Sequence, residues 1–273
     1  NPTYWDAENI KLDRIEVYVV ENGDTALSMY ENGELDYLQI PNASVPNYLD
    51  ASNHHSYVNG NLDWVYINNE AEYVSNQNFR LALAYSIDRA SYTAQSLGED
   101  LKYVCLRNSY VPGNFVTLEE DVTVDINGTP TDFPAGTFYG EIVQAQVTAD
   151  GYPFKVWDEE SHSSDGFDGW YNVENAAAEL QLAIEELAAM GYEVSAENPI
   201  VLDYPYSAYN EIASNQAYVL ETCIESALGG MVDLALVECQ DATENLNTWF
   251  NTNSGAEYNY DLGGLGGIGA DFG

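Results

Sequence analysis

Over residues 173–250 the apolar residues switch repeatedly between a spacing of 3–4 and a spacing of two, and this switching constrains the fold more than anything else in the chain. Residues 173–190 predict a strong helix closed by Gly191. A strand at 200–204, a helix at 212–228, a strand at 232–237 and a helix at 241–250 follow. A chain that alternates in this way buries its apolar faces by laying helices on a sheet, so the fold class is α/β.

The N-terminal part carries the same signals. Ile15, Val17 and Val19 alternate, which predicts a strand with one apolar face. Asn22-Gly23-Asp24 predicts a turn, with Asp24 as N-cap of a helix bearing Ala26, Leu27, Met29 and Tyr30; Gly33 ends it and residues 35–40 predict a second strand. A short helix is expected at 45–49, an alternating strand at 62–68 (LDWVYIN) and one long amphipathic helix at 77–96, with Phe79, Leu83, Ile87 and Ala90 on one face.

Residues 109–170 break the pattern. Gly, Pro, Asp and Asn are dense there and helical periodicity is lost. Within them VTVDI runs into Asn127-Gly128, a strong local hairpin signal. About residues 113–168 therefore form an insertion, with a β-hairpin region at about 116–150.

Charge narrows the partners. Seven Lys and Arg face 45 Asp and Glu, a formal net charge of −38, which repels phosphate backbones and excludes nucleic acid. The acids are interleaved with apolar residues, as on a solvated surface rather than in an acidic tail. No apolar run approaches the ~18 residues of a membrane span. Cys105, Cys223 and Cys239 have no CxxC spacing; Cys223 and Cys239 either pair or stay as buried thiols.

Chemistry-bearing motifs fail on inspection. Gly264-Leu-Gly266-Gly-Ile-Gly269 matches GxGxxG, but a dinucleotide site needs that motif to open a helix, and nothing after Gly269 reads as one. If Gly128 is set at the sixth position of a calcium loop, Thr123 falls at the first and Pro134 at the twelfth, where carboxylates are required. His54, His55 and His162 accompany no nucleophile motif. The expectation is no catalysis, no cofactor and no metal.

Five segments in order then carry a family resemblance: NPTYW at 1–5 leading into the Ile15–Val17–Val19 pattern, GELD at 33–36, NFRLALAYSIDR at 78–89, the stretch from Tyr171 to Gly191-Tyr192, and GIGADF at 267–272. Together they resemble the extracellular solute-binding proteins of family 5, which serve oligopeptide, dipeptide, nickel and related ABC importers. Arg80, Asp88 and Arg89, inside the third segment, have the look of a charged cluster that holds a helix end rather than a ligand.

The resemblance implies a periplasmic-binding-protein-like fold: a mixed sheet flanked by helices, in an incomplete two-lobed protein. Residues 1–61 would belong to the first lobe and 62–273 to most of the second. It implies a monomeric, extracellular receptor, periplasmic or lipid-anchored through a segment outside these residues, that captures oligopeptides for a permease and its ATPase subunits. Another solute (a nickel chelate, an oligosaccharide) or a ligand-sensing domain of a regulator is the alternative.

By the same resemblance Asp271 pairs with the peptide α-ammonium. Gly267, Ile268 and Gly269 pair with peptide main chain, and Trp64 lines the pocket. Ile268 stands where the family has an aromatic residue, which removes a stacking wall at that point.

Overall fold

The computed structural model describes all residues except 1–2, 21, 56–60, 163–165, 250–253, 258–259 and 270–273. It divides into two compact units, residues 1–55 and 56–273.

In the first unit, helix α1 (Gly23–Glu31) is capped by Asn22, whose side chain accepts from the Thr25 N–H at 2.9 Å; the expected cap, Asp24, lies in the first turn instead. A 3-10 turn spans Asn42–Asn47, close to the short helix expected at 45–49. The strands expected at 15–19 and 35–40 do not form. Among the described residues neither segment pairs as a strand, and Ile15, Val17 and Val19 are 75%, 83% and 93% exposed. Alternation marks a face that seeks cover, yet a strand exists only where a neighbour takes its N–H and C=O groups.

The second unit opens with β1 (Asn61–Ile67). Helices α2 (Gln77–Ser86) and α3 (Arg89–Leu97) follow where one helix was expected. The break lies at Ile87, which is extended, and at Asp88, whose carboxylate accepts from the Ser91 N–H (3.0 Å) and hydroxyl (2.6 Å) and so starts a new helix. Arg80 donates to the carbonyls of Val74 and Ser75 at 2.9 and 2.7 Å. Asp88 and Arg80 therefore serve helix ends, as expected, whereas Arg89 reaches away from its helix to Asp168.

Next, β2 (Val122–Ile126) and β3 (Thr129–Phe133) form an antiparallel hairpin. Its turn sits on Asn127 (φ 50°) and Gly128 (φ 79°), the two positive φ values of a type I′ turn. The same stretch also contains helix α4 (Tyr139–Ala149), which sequence periodicity did not reveal. Glu141 starts it, accepting from the Phe138 N–H at 3.1 Å.

Helix α5 (Val173–Ala189) is capped by Asn172 and packs on α2. Then β4 (Ile200–Ser207), α6 (Glu211–Ala227) and β5 (Val232–Cys239) make a strand–helix–strand unit with β4 and β5 parallel, followed by α7 (Ala242–Trp249) and β6 (Leu262–Gly269). Phe79, Leu83, Leu187, Leu202, Leu220, Ile224, Leu234 and Leu262 share one buried core. Each fully buried aliphatic side chain contributes about 1.5–3 kcal/mol of transfer free energy. This core fixes where β6 begins. Cys105, Cys223 and Cys239 are free thiols.

Candidate ligand-binding face

β6 pairs antiparallel with β1: Trp64 opposes Leu265, Val65 opposes Gly264, Tyr66 opposes Gly263 and Ile67 opposes Leu262. The register slips between Leu62 and Trp64, after which Leu62 opposes Ile268 and Asn61 opposes Gly269. Gly267, Ile268 and Gly269 thus form the far end of β6, with β1 on one edge. Asp271 lies outside the described residues.

Trp64 and Tyr66, two apart on β1, share a face and meet edge to face, with centroids 5.5 Å apart at 76°. Tyr110, from the neck of the insertion, meets Trp64 at 6.0 Å and is 74% exposed. Trp64 is half-buried. Trp64, expected to line a pocket, is therefore one of three aromatic rings, in contact with both of the others. Tyr66 was legible by the period of two from Trp64. Tyr110 sits in an irregular segment and gave no signal.

The entry to β6 is held by Asn68, a buried residue at the end of β1. Its N–H donates to the Asp261 carbonyl (2.9 Å), and Nδ2 donates to the carbonyls of Gly255 (2.9 Å) and Tyr260 (3.1 Å). Its Oδ1 accepts from the Glu70 N–H at 3.2 Å. A Cβ at position 255 would lie 2.5 Å from that Oδ1, so any larger residue there would push the Asn68 amide out of place. Nothing in the sequence marks this residue.

Beside it the Asp261 N–H donates to the Asp203 carbonyl at 3.0 Å, and Asp261 Oδ2 accepts from the Asp203 N–H at 2.9 Å, which ties the start of β6 to β4. Burial raises the Asp261 pKa. The Asp203 N–H works against that rise, and the negative charges of Asp203 and Glu72 add to it.

A separate pocket at the start of β4, lined by Tyr73, Tyr192, Glu193, Asn198 and Ile200, contains none of these groups. Among the described residues no cluster of His, Cys, Asp and Glu is placed to hold a metal, and no helix is long and apolar enough to cross a membrane. What the face offers is a glycine-lined strand edge next to an aromatic platform. A strand edge can in general pair with extended main chain.

Residues 1–221 match the model of the bacterial extracellular solute-binding proteins, family 5 Middle. The oligopeptide-binding protein AliB of Streptococcus pneumoniae is 28% identical over 97% of this chain, which spans 41% of that protein's length. Among solved structures, Listeria monocytogenes OppA bound to peptide superimposes with a TM-score of 0.53 at 18% identity, covering 96% of this chain and 42% of that one. An oligopeptide ABC transporter substrate-binding domain from Bacillus anthracis gives 0.54 at 16% identity, over 96% and 41%. These likenesses agree with the expected fold class.

Proposed function

Because this chain belongs to the bacterial extracellular solute-binding proteins of family 5, we propose that it is part of the substrate-binding component of an ABC importer, one that captures oligopeptides and delivers them to a membrane permease with its ATPase subunits. Relatives that it matches over nearly its whole length are named as oligopeptide-binding proteins. The observation that carries the proposal is β6: a strand of glycines, aligned by β1 and pinned at its entry by Asn68, with Trp64, Tyr66 and Tyr110 beside it.

A peptide laid along the open edge of β6 would exchange main-chain hydrogen bonds with Gly267, Ile268 and Gly269, which gives affinity without reading sequence. Asp271, two residues past the end of β6, would take the peptide α-ammonium, since a cation taken out of water needs an ionised partner. Residues 1–61 are assigned to the first lobe and 62–273 to most of the second, with the insertion at about 113–168. The protein acts as an extracellular or periplasmic monomer, held at the cell surface by a lipid anchor where one is needed, and performs no catalysis.

The test is titration calorimetry on the full-length protein with matched free and N-acetylated peptides. Free peptides should bind and acetylated ones should lose at least about tenfold in affinity. Absence of binding by any peptide overturns the proposal. Equal affinity for the two forms removes Asp271 from the site.

A further inference from the structure

Resting on that reading, we infer that the peptide taken is cationic, and that one of its Lys or Arg side chains stacks on the Trp64–Tyr110 pair. The first ground is where the basic residues lie. No Lys or Arg occurs after Lys155, so β4, α6, β5, α7 and β6 carry none, and β1 carries none either.

All seven basic side chains sit on other segments and already have partners. Arg80 donates to two carbonyls ahead of α2, and Arg89 is paired with Asp168. Arg107 donates to the carbonyls of Val104 and Leu106. Lys102 is held by Glu99 and Lys155 by Asp158. Lys11 and Arg14 lie in the first unit, on the Glu8 carbonyl and the Glu16 carboxylate.

The strands of the candidate face are therefore neutral or acidic, with Asp203, Glu238, Glu244 and Asp261 on or beside them, and the basic residue nearest Tyr110 in the chain, Arg107, is turned onto the carbonyls of Val104 and Leu106. A peptide carboxylate buried here would find no guanidinium or ammonium from these elements, whereas a peptide cation enters a favourable field.

The second ground is the platform itself. The rings of Trp64 and Tyr110 lie 6.0 Å apart, and Tyr110 is largely exposed. An electron-rich indole and phenol presented together attract a guanidinium or ammonium through the ring quadrupole. A uniformly acidic exterior would attract cations too, but everywhere and weakly. Stacking on Trp64 and Tyr110 would be local, competed by other peptides and resistant to salt.

The experiment uses the full-length protein and pentapeptides of alanine with one variable residue, Arg, Lys, Gln or Glu, placed at each position in turn. Each is competed against a fluorescent Arg-containing peptide. At about 20 mM salt the best Arg or Lys peptide should bind about tenfold tighter than its Gln counterpart, with Glu weakest; about threefold should survive at 0.5 M salt, because stacking is screened less than the field.

Tyr110→Ala should shrink the residual high-salt preference. Equal affinity of Arg, Gln and Glu peptides overturns the inference and leaves the peptide-receptor reading intact. An Arg peptide that the Gln peptides cannot displace reports only the acidic exterior and overturns it as well. An unchanged high-salt preference in Tyr110→Ala overturns the stacking assignment. No binding by any peptide overturns both this and the reading it rests on.

Discussion

Arg89 directs Nε and Nη2 onto one oxygen of Asp168, at 3.1 and 2.5 Å, across 79 residues of chain. The same guanidinium donates to the Arg107 carbonyl (2.7 Å) and to Asn108 Oδ1 (2.6 Å). Asp168 Oδ1 also accepts the N–H groups of Trp170 and Tyr171, while its buried Oδ2 has no hydrogen-bond partner among the described residues. Arg89 therefore closes the neck of the insertion, and Tyr110 emerges three residues beyond Arg107. Arg89→Met should destabilise the protein by about 2–4 kcal/mol in urea unfolding, because it strands a buried carboxylate. Asp168→Asn should cost clearly less, since its carbonyl oxygen can still accept and its amide can donate. Equal losses for the two variants would count against the ion pair as the determinant.

Asn68→Leu removes the donors to Gly255 and Tyr260. Two carbonyls left without partners should lower stability by about 2 kcal/mol or more. Hydrogen exchange should rise selectively over residues 255–262, and peptide affinity should fall with it. Gly255→Ala should produce the same local signature through the clash of its Cβ with Asn68.

The Asp261 pKa is raised in the fold, chiefly by burial. A raised carboxyl favours the folded state while it is protonated. That contribution is complete below the ordinary carboxylate pKa and is lost as pH rises through the folded value. Above that value the buried charge is a liability. Asp261→Asn retains an oxygen for the Asp203 N–H and removes the charge, so it should raise Tm at pH 7 by on the order of 2 °C. The gain should disappear as pH falls below the ordinary carboxylate value, where both proteins carry a neutral side chain. A Tm difference independent of pH would contradict the assignment.

Gly128→Val places a β-branched residue at φ 79° in the hairpin turn. The substitution should cost about 1–2 kcal/mol, while Asn127→Gly should be nearly neutral because glycine also accepts the positive φ. Chemical denaturation of the two variants checks this.

In the full-length protein Asp271→Asn should weaken peptide binding by about 1.5–3 kcal/mol, the scale of a charge-assisted hydrogen bond, with an unchanged thermal transition of the unliganded protein. Calorimetry and a thermal melt together separate loss of contact from loss of fold.

By itself the sequence determined what is local. Asn127-Gly128 specified the hairpin turn because few other residues accept two positive φ values in succession. The β4–α6–β5 unit was legible because each element repeats its own period over enough residues to outweigh noise. The helix-capping role of Asp88 was half legible: its charge was noted, but the helix was expected to run through it. Only when Ile87 is extended does the Asp88 carboxylate turn onto Ser91 and divide α2 from α3. Helix α4 was hidden among the turn residues around it.

The tertiary structure alone decided the face itself. The pairing of β1 with β6 joins residues about 200 apart, and no local pattern encodes which strand a glycine run will choose. Asn68 matters because two carbonyls from residues 255 and 260 arrive beside it, and Tyr110 because Arg89 and Asp168 hold its loop near Trp64. Those energies exist only once distant segments meet and water has left the space between them.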